Sequence, residues 1–192
     1  MKIGVLALQG AFIEHITVMQ QLGVEALPVR LPNQLDGLNG LIIPGGESTT
    51  ILELMQSFSL MQPLRELVQA GLPILGTCAG MICLAKKVSN HDRETLAVMD
   101  IAVRRNAFGR QIDSFEAELP IPVLGDKPFP AIFIRAPFIE SVDPQVEILA
   151  RLPSGIAVAG RQGKLMATSF HPELTRDLRL HSYFLKIVAS ID

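Results

Sequence analysis

Two short segments, far apart in the chain, carry residue types suited to acyl transfer. The first is Gly76-Thr77-Cys78-Ala79-Gly80, preceded by the apolar run Leu72-Pro73-Ile74-Leu75. The second is His171-Pro172-Glu173, preceded by Ala167-Thr168-Ser169-Phe170. A Gly-x-Cys-x-Gly between a buried strand and a helix is the thiol form of the nucleophile elbow, a strained turn whose glycines let the chain pass without side-chain clashes. A thiol nucleophile needs a base, and the base needs a third group to hold its ring. His171 and Glu173 supply both. On an extended segment residues i and i+2 face the same way, about 6.5 Å apart. The Glu173 carboxylate would then reach the near ring nitrogen of His171 and leave the far one for sulfur. Pro172, with its fixed φ and no N–H, stiffens the pair.

A thiolate stabilised by His171 and by the N-terminus of the following helix would attack a carbonyl. The resulting oxyanion needs backbone N–H donors, each typically contributing about 2.7–4 kcal/mol to the transition state. One candidate is the N–H of Ala79, directly after the nucleophile. Another lies in Pro44-Gly45-Gly46-Glu47, which is equally compatible with an ordinary strand-to-helix turn. Arg105 and Arg135 are candidates for gripping a substrate carboxylate, although surface arginines are commonly solvated or paired. Arg135 ends an apolar strand and is the stronger of the two. His15, His91 and His181 lack glycine, carboxylate or cysteine context. We place His15 and His181 on helix surfaces and His91 in a loop. No metal site is expected.

Positioning these groups requires a layered domain. The chain has 192 residues, 48% apolar and 19% charged, which suits one α/β domain spanning residues 1–192. A formal net charge of −2 gives no electrostatic case for nucleic acid or an anionic membrane. No window approaches 18 continuous apolar residues and no basic leader precedes the first strand, so a cytoplasmic location is expected. The two cysteines, Cys78 and Cys83, are badly placed for a disulfide, and Cys83 is expected in the core.

Along the first half the pattern alternates. Strands are predicted at 2–8, 24–31, 40–43 and ahead of Cys78. Helices are predicted at 12–22 (face Phe12, Ile16, Met19, Leu22), from about residue 50 to 70 with a break near 57–59, and at 79–86. Thr50 with Glu53 fits a capping box, with Ser48 as the other candidate cap. This rhythm argues for a mostly parallel sheet with helices on both faces. Gln9-Gly10, Gly45-Gly46 and Cys78 all fall at carboxyl ends of strands, where such sheets bind ligands. In the second half, 96–104, 115–119, 131–135, 156–160 and 164–170 read as strands, several antiparallel. A closing helix is predicted at 177–191, with Leu178, Phe184, Leu185 and Val188 on its apolar side. The stretches 89–94 and 124–130 read as surface loops.

With these segments in order, the chain resembles the class I (triad) glutamine amidotransferases, whose core is flavodoxin-like. It resembles most closely the family of glutaminase subunits of pyridoxal 5′-phosphate synthase, across essentially its whole length. The motifs are Leu6-Ala7-Leu8-Gln9-Gly10, Pro44-Gly45-Gly46-Glu47-Ser48-Thr49-Thr50, Gly76-Thr77-Cys78-Ala79-Gly80-Met81, Arg105-Asn106-Ala107-Phe108-Gly109-Arg110-Gln111, Asp113-Ser114-Phe115-Glu116 and Phe170-His171-Pro172-Glu173-Leu174. The resemblance implies Cys78 as nucleophile, His171 as acid/base and Glu173 as orienter. It implies that Gly46, Glu47, Ser48, Arg105, Ile134 and Arg135 bind L-glutamine, with oxyanion donors at Gly46 and Ala79 and no cofactor. It also implies a (β/α)8-barrel synthase partner in a large hetero-oligomer, which combines the ammonia with ribose 5-phosphate and glyceraldehyde 3-phosphate. Ile82 stands where other branches place a glutamine, and Ile13 and Phe138 stand where this family often has polar residues. The rivals are another ammonia-using enzyme's glutaminase, a cysteine-elbow hydrolase and a non-enzymatic regulatory protein. Ala79 argues against the hydrolases that carry histidine directly after the cysteine.

Overall fold

The computed structural model describes residues 1–89, 93–105 and 114–190. His91, the run 106–113 of the arginine motif and the last residue of the predicted closing helix lie outside these. The first half runs β1 (Lys2–Leu6), α1 (Phe12–Gln21), β2 (Glu25–Val29), β3 (Gly40–Ile43), α2 (Ser48–Ser57), α3 (Met61–Gln69), β4 (Ile74–Thr77) and α4 (Ala79–Leu84). The second half adds β5 (Ala85–Ser89), β6 (Met99–Arg104), β7 (Ser114–Leu119), β8 (Phe129–Ile134), β9 (Phe138–Val142), β10 (Glu147–Arg151), β11 (Ala157–Gln162), β12 (Leu165–Thr168) and α5 (Arg179–Ala189). The main sheet runs β2-β1-β3-β4-β12-β11-β9-β6-β5, with β10 added beside β11, while β7 and β8 form a separate hairpin. The block from β2 to β12 is parallel throughout. Antiparallel pairing begins at β11.

The apolar runs of the central strands are continuous because both faces are covered. Alternate residues point to opposite layers: Leu41, Ile43 and Ile74 pack with α2, α3 and α4, through Ile51, Met55, Leu64 and Met81. Ile42, Leu75 and Met166 pack with α1 and α5, through Met19, Leu180 and Phe184, and with Phe129 and Phe133 of the hairpin. This is the two-sided arrangement that the strand–helix rhythm predicts.

Several expectations are corrected. The predicted helix at 79–86 ends at Leu84, because Ala85 is extended and starts β5, an edge strand parallel to β6. Its exposed Lys86 and Lys87 are typical of an edge that must not recruit another strand. Strands β9 and β10 are not predicted from the sequence; their short half-buried patterns form by pairing with β6 and β11. The cap of α2 is neither Thr50 nor Ser48. It is Glu47, whose carboxylate accepts from the Thr49 N–H at 3.2 Å. Most consequentially, His15 and His181 are fully buried, not on helix surfaces. The buried stripe of α1 is His15, Val18 and Met19, and that of α5 is Leu180, His181, Phe184 and Ile187. Each stripe is turned from the face the apolar residues alone suggest.

Helix α4 packs directly under β3, which leaves no room at Gly80: a Cβ there would overlap the Ile43 carbonyl oxygen. Gly80→Ala is therefore expected to lower unfolding free energy by about 1–3 kcal/mol, as overpacking does. An unchanged urea midpoint would contradict this packing.

Candidate active site

The elbow is as strained as the motif requires. Cys78, not a glycine, has φ 49° and ψ −104° between β4 and α4. Such a conformation persists only where the surroundings over-determine it. Here the Cys78 N–H donates to the Thr168 carbonyl at 2.7 Å, and Gly76 and Gly80 pass each other so closely that a Cβ on Gly76 would lie 2.6 Å from the Gly80 oxygen. Cys78 is buried, at 6% exposure, and its Sγ lies 3.8 Å from the Ile134 carbonyl.

The parallel register of β4 and β12 brings the distant histidine to this thiol. Thr168 sits opposite Thr77, so the chain leaving β12 runs beside the chain leaving β4. Phe170 is buried against Phe129 and Phe133, with ring centroids 5.8 and 5.6 Å away. The His171 N–H donates to the Ile132 carbonyl at 2.8 Å, anchoring the segment to the hairpin. His171 does not continue an extended strand, as the sequence suggests; it opens a 3-10 turn, Pro172–Leu174. The turn still brings the pair together: His171 Nδ1 lies 2.6 Å from Glu173 Oε1. Pro172 occupies the first position of that turn, where no N–H is needed.

Electrostatics follow from burial. Burial works against a charged His171, but hydrogen bonding to Cys78 and to Glu173 outweighs it and raises the imidazole well above its ordinary value. Burial likewise works against charge on Glu173, yet His15 and His171 hold its carboxyl below the usual range. A base poised beside a thiol and backed by an ionised carboxylate can deprotonate that thiol and then protonate a leaving group.

The candidate substrate groups gather at the β3–α2 turn. Gly45 abuts the pair directly: a Cβ there would meet the His171 ring and lie 3.3 Å from Cys78 Cβ. The Gly45 carbonyl accepts from the Ala11 N–H at 3.0 Å, and the Glu47 N–H donates to Gln9 Oε1 at 2.7 Å. The β1–α1 turn thereby holds the flanks of Gly46. Ser48 is buried, and its hydroxyl has no hydrogen-bond partner among the described residues. Arg105 reaches Glu47 at 2.9 Å. Burial raises the Glu47 carboxyl, but Thr49, Arg105 and Arg135 together bring it below its ordinary value. Arg135 itself carries φ 43° just after β8, next to Ile134. Ala79 opens α4 behind the thiol. Gln9, at a strand end where the sequence expects ligands, completes the surroundings with His15, Thr77 and His181; the sequence gives the two histidines no role in the site. For His15 the signal is the 15–18–19–22 helical spacing, which includes it in a buried stripe.

Residues 5–190 match the SNO glutamine amidotransferase family, and the chain belongs to that family. It is 57% identical over 188 residues to the pyridoxal 5′-phosphate synthase protein PdxT of Moorella thermoacetica, covering 98% of this chain and 100% of the relative. It is 58% identical over 188 residues to the protein of the same name from Herpetosiphon aurantiacus, covering 96% and 99%. A solved structure described as a glutamine amidotransferase matches with a TM-score of 0.93 at 48% identity, over 97% of this chain and 98% of that one. The structure of PurLQS from Thermotoga maritima shares the fold, with a TM-score of 0.68 at 14% identity over 96% of this chain and 97% of that one.

Burial sets the behaviour of two further groups. It pushes the Cys83 thiol up to about 12, so iodoacetamide at neutral pH should label Cys78 in the folded protein and Cys83 only after unfolding. Comparable labelling of both in the folded state would contradict the site. Burial also lowers His181 from 6.5 to about 3. Between those values the unfolded chain binds a proton that the folded chain does not, so stability falls as pH drops through this window. His181→Gln should flatten the fall; an identical slope in denaturant titrations would contradict it.

Proposed function

We propose that this chain is the glutaminase subunit of a pyridoxal 5′-phosphate synthase, working in the cytoplasm. The thiol proton passes to His171, whose raised imidazole holds it, and the Cys78 thiolate attacks the side-chain amide carbon of L-glutamine. The tetrahedral oxyanion is held by the N–H groups of Gly46 and Ala79. His171 then gives its proton to the departing nitrogen, the C–N bond breaks, and ammonia leaves a glutamyl thioester on Cys78. Water, deprotonated by His171, hydrolyses the thioester to L-glutamate and restores the thiol. Glu173 keeps the imidazole oriented and balances its charge.

Glutamine is recognised around Gly46, Glu47, Ser48, Arg105, Ile134 and Arg135. The open hydroxyl of buried Ser48 and the arginines at Glu47 suit an amino acid carrying both an ammonium and a carboxylate. Ammonia released into water becomes ammonium, which is not nucleophilic. It therefore passes into a docked (β/α)8-barrel synthase partner within a large hetero-oligomer, which builds the cofactor from ribose 5-phosphate and glyceraldehyde 3-phosphate. The observation that supports this reading most is the Cys78 elbow meeting the His171–Glu173 pair, at 2.6 Å within that pair, in a member of the SNO family.

The direct test is glutamate release from L-glutamine, by this chain alone and in a mixture with its synthase partner. A low rate that rises on mixing is expected. No release in either case would overturn the proposal. Cys78→Ala should abolish release with the fold intact, and Glu173→Gln should retain more activity than His171→Ala, since orienters contribute less than the groups they hold. Full activity in Cys78→Ala would remove the nucleophile assignment.

A further inference from the structure

Behind the triad lies a pair of buried histidines that the reaction above does not use. His15, from α1, and His181, from α5, are both completely buried and meet at 3.0 Å, Nδ1 of the first to Nε2 of the second. The other ring nitrogen of His15 faces two oxygens: Thr77 Oγ1 at 3.1 Å and Glu173 Oε2 at 3.3 Å. Glu173 Oε1 is the oxygen that serves His171. Oε2 is buried on the opposite side and has no hydrogen-bond partner among the described residues, its nearest polar neighbour being the His15 nitrogen at 3.3 Å. His181 Nδ1 is buried and has no partner among the described residues either.

From this geometry we propose that His15 is a positioning residue for the triad, presenting its Nε2–H to the far side of Glu173, with His181 setting the tautomer that makes this possible. The inference rests on the catalytic reading of Cys78, His171 and Glu173 given above.

The proton count leaves one consistent arrangement for neutral rings. Between two facing ring nitrogens one must donate and the other accept. If His181 carried its proton on Nδ1, an N–H would be buried with no acceptor. Its Nε2 lone pair would then demand a proton on Nδ1 of His15. That would turn a lone pair of His15 Nε2 toward the carboxylate, which accepts only. The opposite arrangement has none of these faults: His181 Nε2–H donates to His15 Nδ1, and His15 Nε2–H lies between Thr77 and Glu173. Only a lone pair, on His181 Nδ1, is left over.

Neutrality is favoured by the surroundings. Burial lowers His15, with the charge of Glu173 opposing it, the nearby His171 adding to it, and Glu14 on the same helix opposing it weakly. His181 is lowered by burial and then by His15. The titratable groups facing His15 are thus Glu173 and His171 from the C-terminal turn, His181 from α5 and Glu14 from α1 itself.

The consequence for catalysis is mechanical and electrostatic. With Oε1 bonded to His171 and the His15 nitrogen packed 3.3 Å from Oε2, the Glu173 carboxylate is held against rotating away from His171 Nδ1. With a donor behind it, the carboxylate stays ionised although buried, so that it can balance an imidazolium. Outer partners that fix metal-bound histidines typically contribute about 10- to 100-fold, and a loss of that order is expected here.

The test uses the assembled synthase complex and the free chain. His15→Leu removes the donor at similar size; His15→Gln retains an N–H donor in its place. In glutamate release, His15→Leu should lower kcat about 10-fold or more with KM for glutamine little changed, and should shift the acid limb of the kcat–pH profile upward. His15→Gln should recover most of kcat and return that limb. Equal loss in both variants, or a drop in kcat matched by KM and by lost thermal stability with an unmoved pH profile, would overturn the positioning role. Nitrogen-15 NMR of the wild-type imidazoles reads the tautomers without any assay: Nε2–H is expected on both His15 and His181, and Nδ1–H on His181 would refute the arrangement. A wild-type complex that releases no glutamate would instead sink the glutaminase reading, while the NMR result still decides the proton arrangement.

Discussion

Helix α4 is pressed so hard against the end of β3 that only hydrogen fits between Gly80 and the Ile43 carbonyl. That contact fixes where α4 starts, and with it the sharp turn out of β4. The turn forces Cys78 into a positive φ that a side-chain-bearing residue resists. The strain is held by the Cys78 N–H bond to Thr168 and by the packing of the sheet on both faces. The same pairing of β4 with β12 delivers His171, so one register both strains Cys78 and brings the histidine beside it. A looser helix–strand contact would relax the turn and withdraw the thiol from the histidine together.

Charge in this site is managed by pairing instead of exposure. An isolated buried carboxylate is strongly disfavoured, yet Glu173 remains ionised because histidines flank it on both sides. At the rim, Glu47 is kept charged by Thr49, Arg105 and Arg135, and it caps α2 in the same stroke. Cys83, five residues from the nucleophile, shows the alternative: fully buried without a charged partner, its thiol is pushed up to about 12 and stays inert.

The parallel half of the fold is legible in the sequence because strands buried on both faces read as unbroken apolar runs, with Gly10 and Gly45 closing β1 and β3 before their helices. Edge and antiparallel strands are harder. β5 begins as helical spacing, and only its pairing with β6 makes Ala85–Ser89 extended. The triad is legible from spacing and residue type, even though the His171–Glu173 contact is made by a 3-10 turn and not by a strand. The cap of α2 is hidden because serine and threonine usually lead at that position, whereas here a carboxylate also serves two arginines. The buried histidines are hidden for a different reason. A lone histidine on a helix looks like surface until its partner is known, and its partner lies 166 residues away. Pairwise satisfaction across the fold is invisible to a local pattern.

The central claim is that Cys78 forms the covalent bond to substrate. Acid quench of the protein during turnover with L-glutamine, followed by peptide mass spectrometry, tests it directly. A glutamyl adduct is predicted on the peptide containing Cys78, located to that residue and absent from Cys83. It should accumulate further in Glu173→Gln if hydrolysis of the thioester slows more than its formation. A glutamyl adduct on Cys83, or steady glutamate release from protein whose Cys78 has been blocked by alkylation, would contradict the claim.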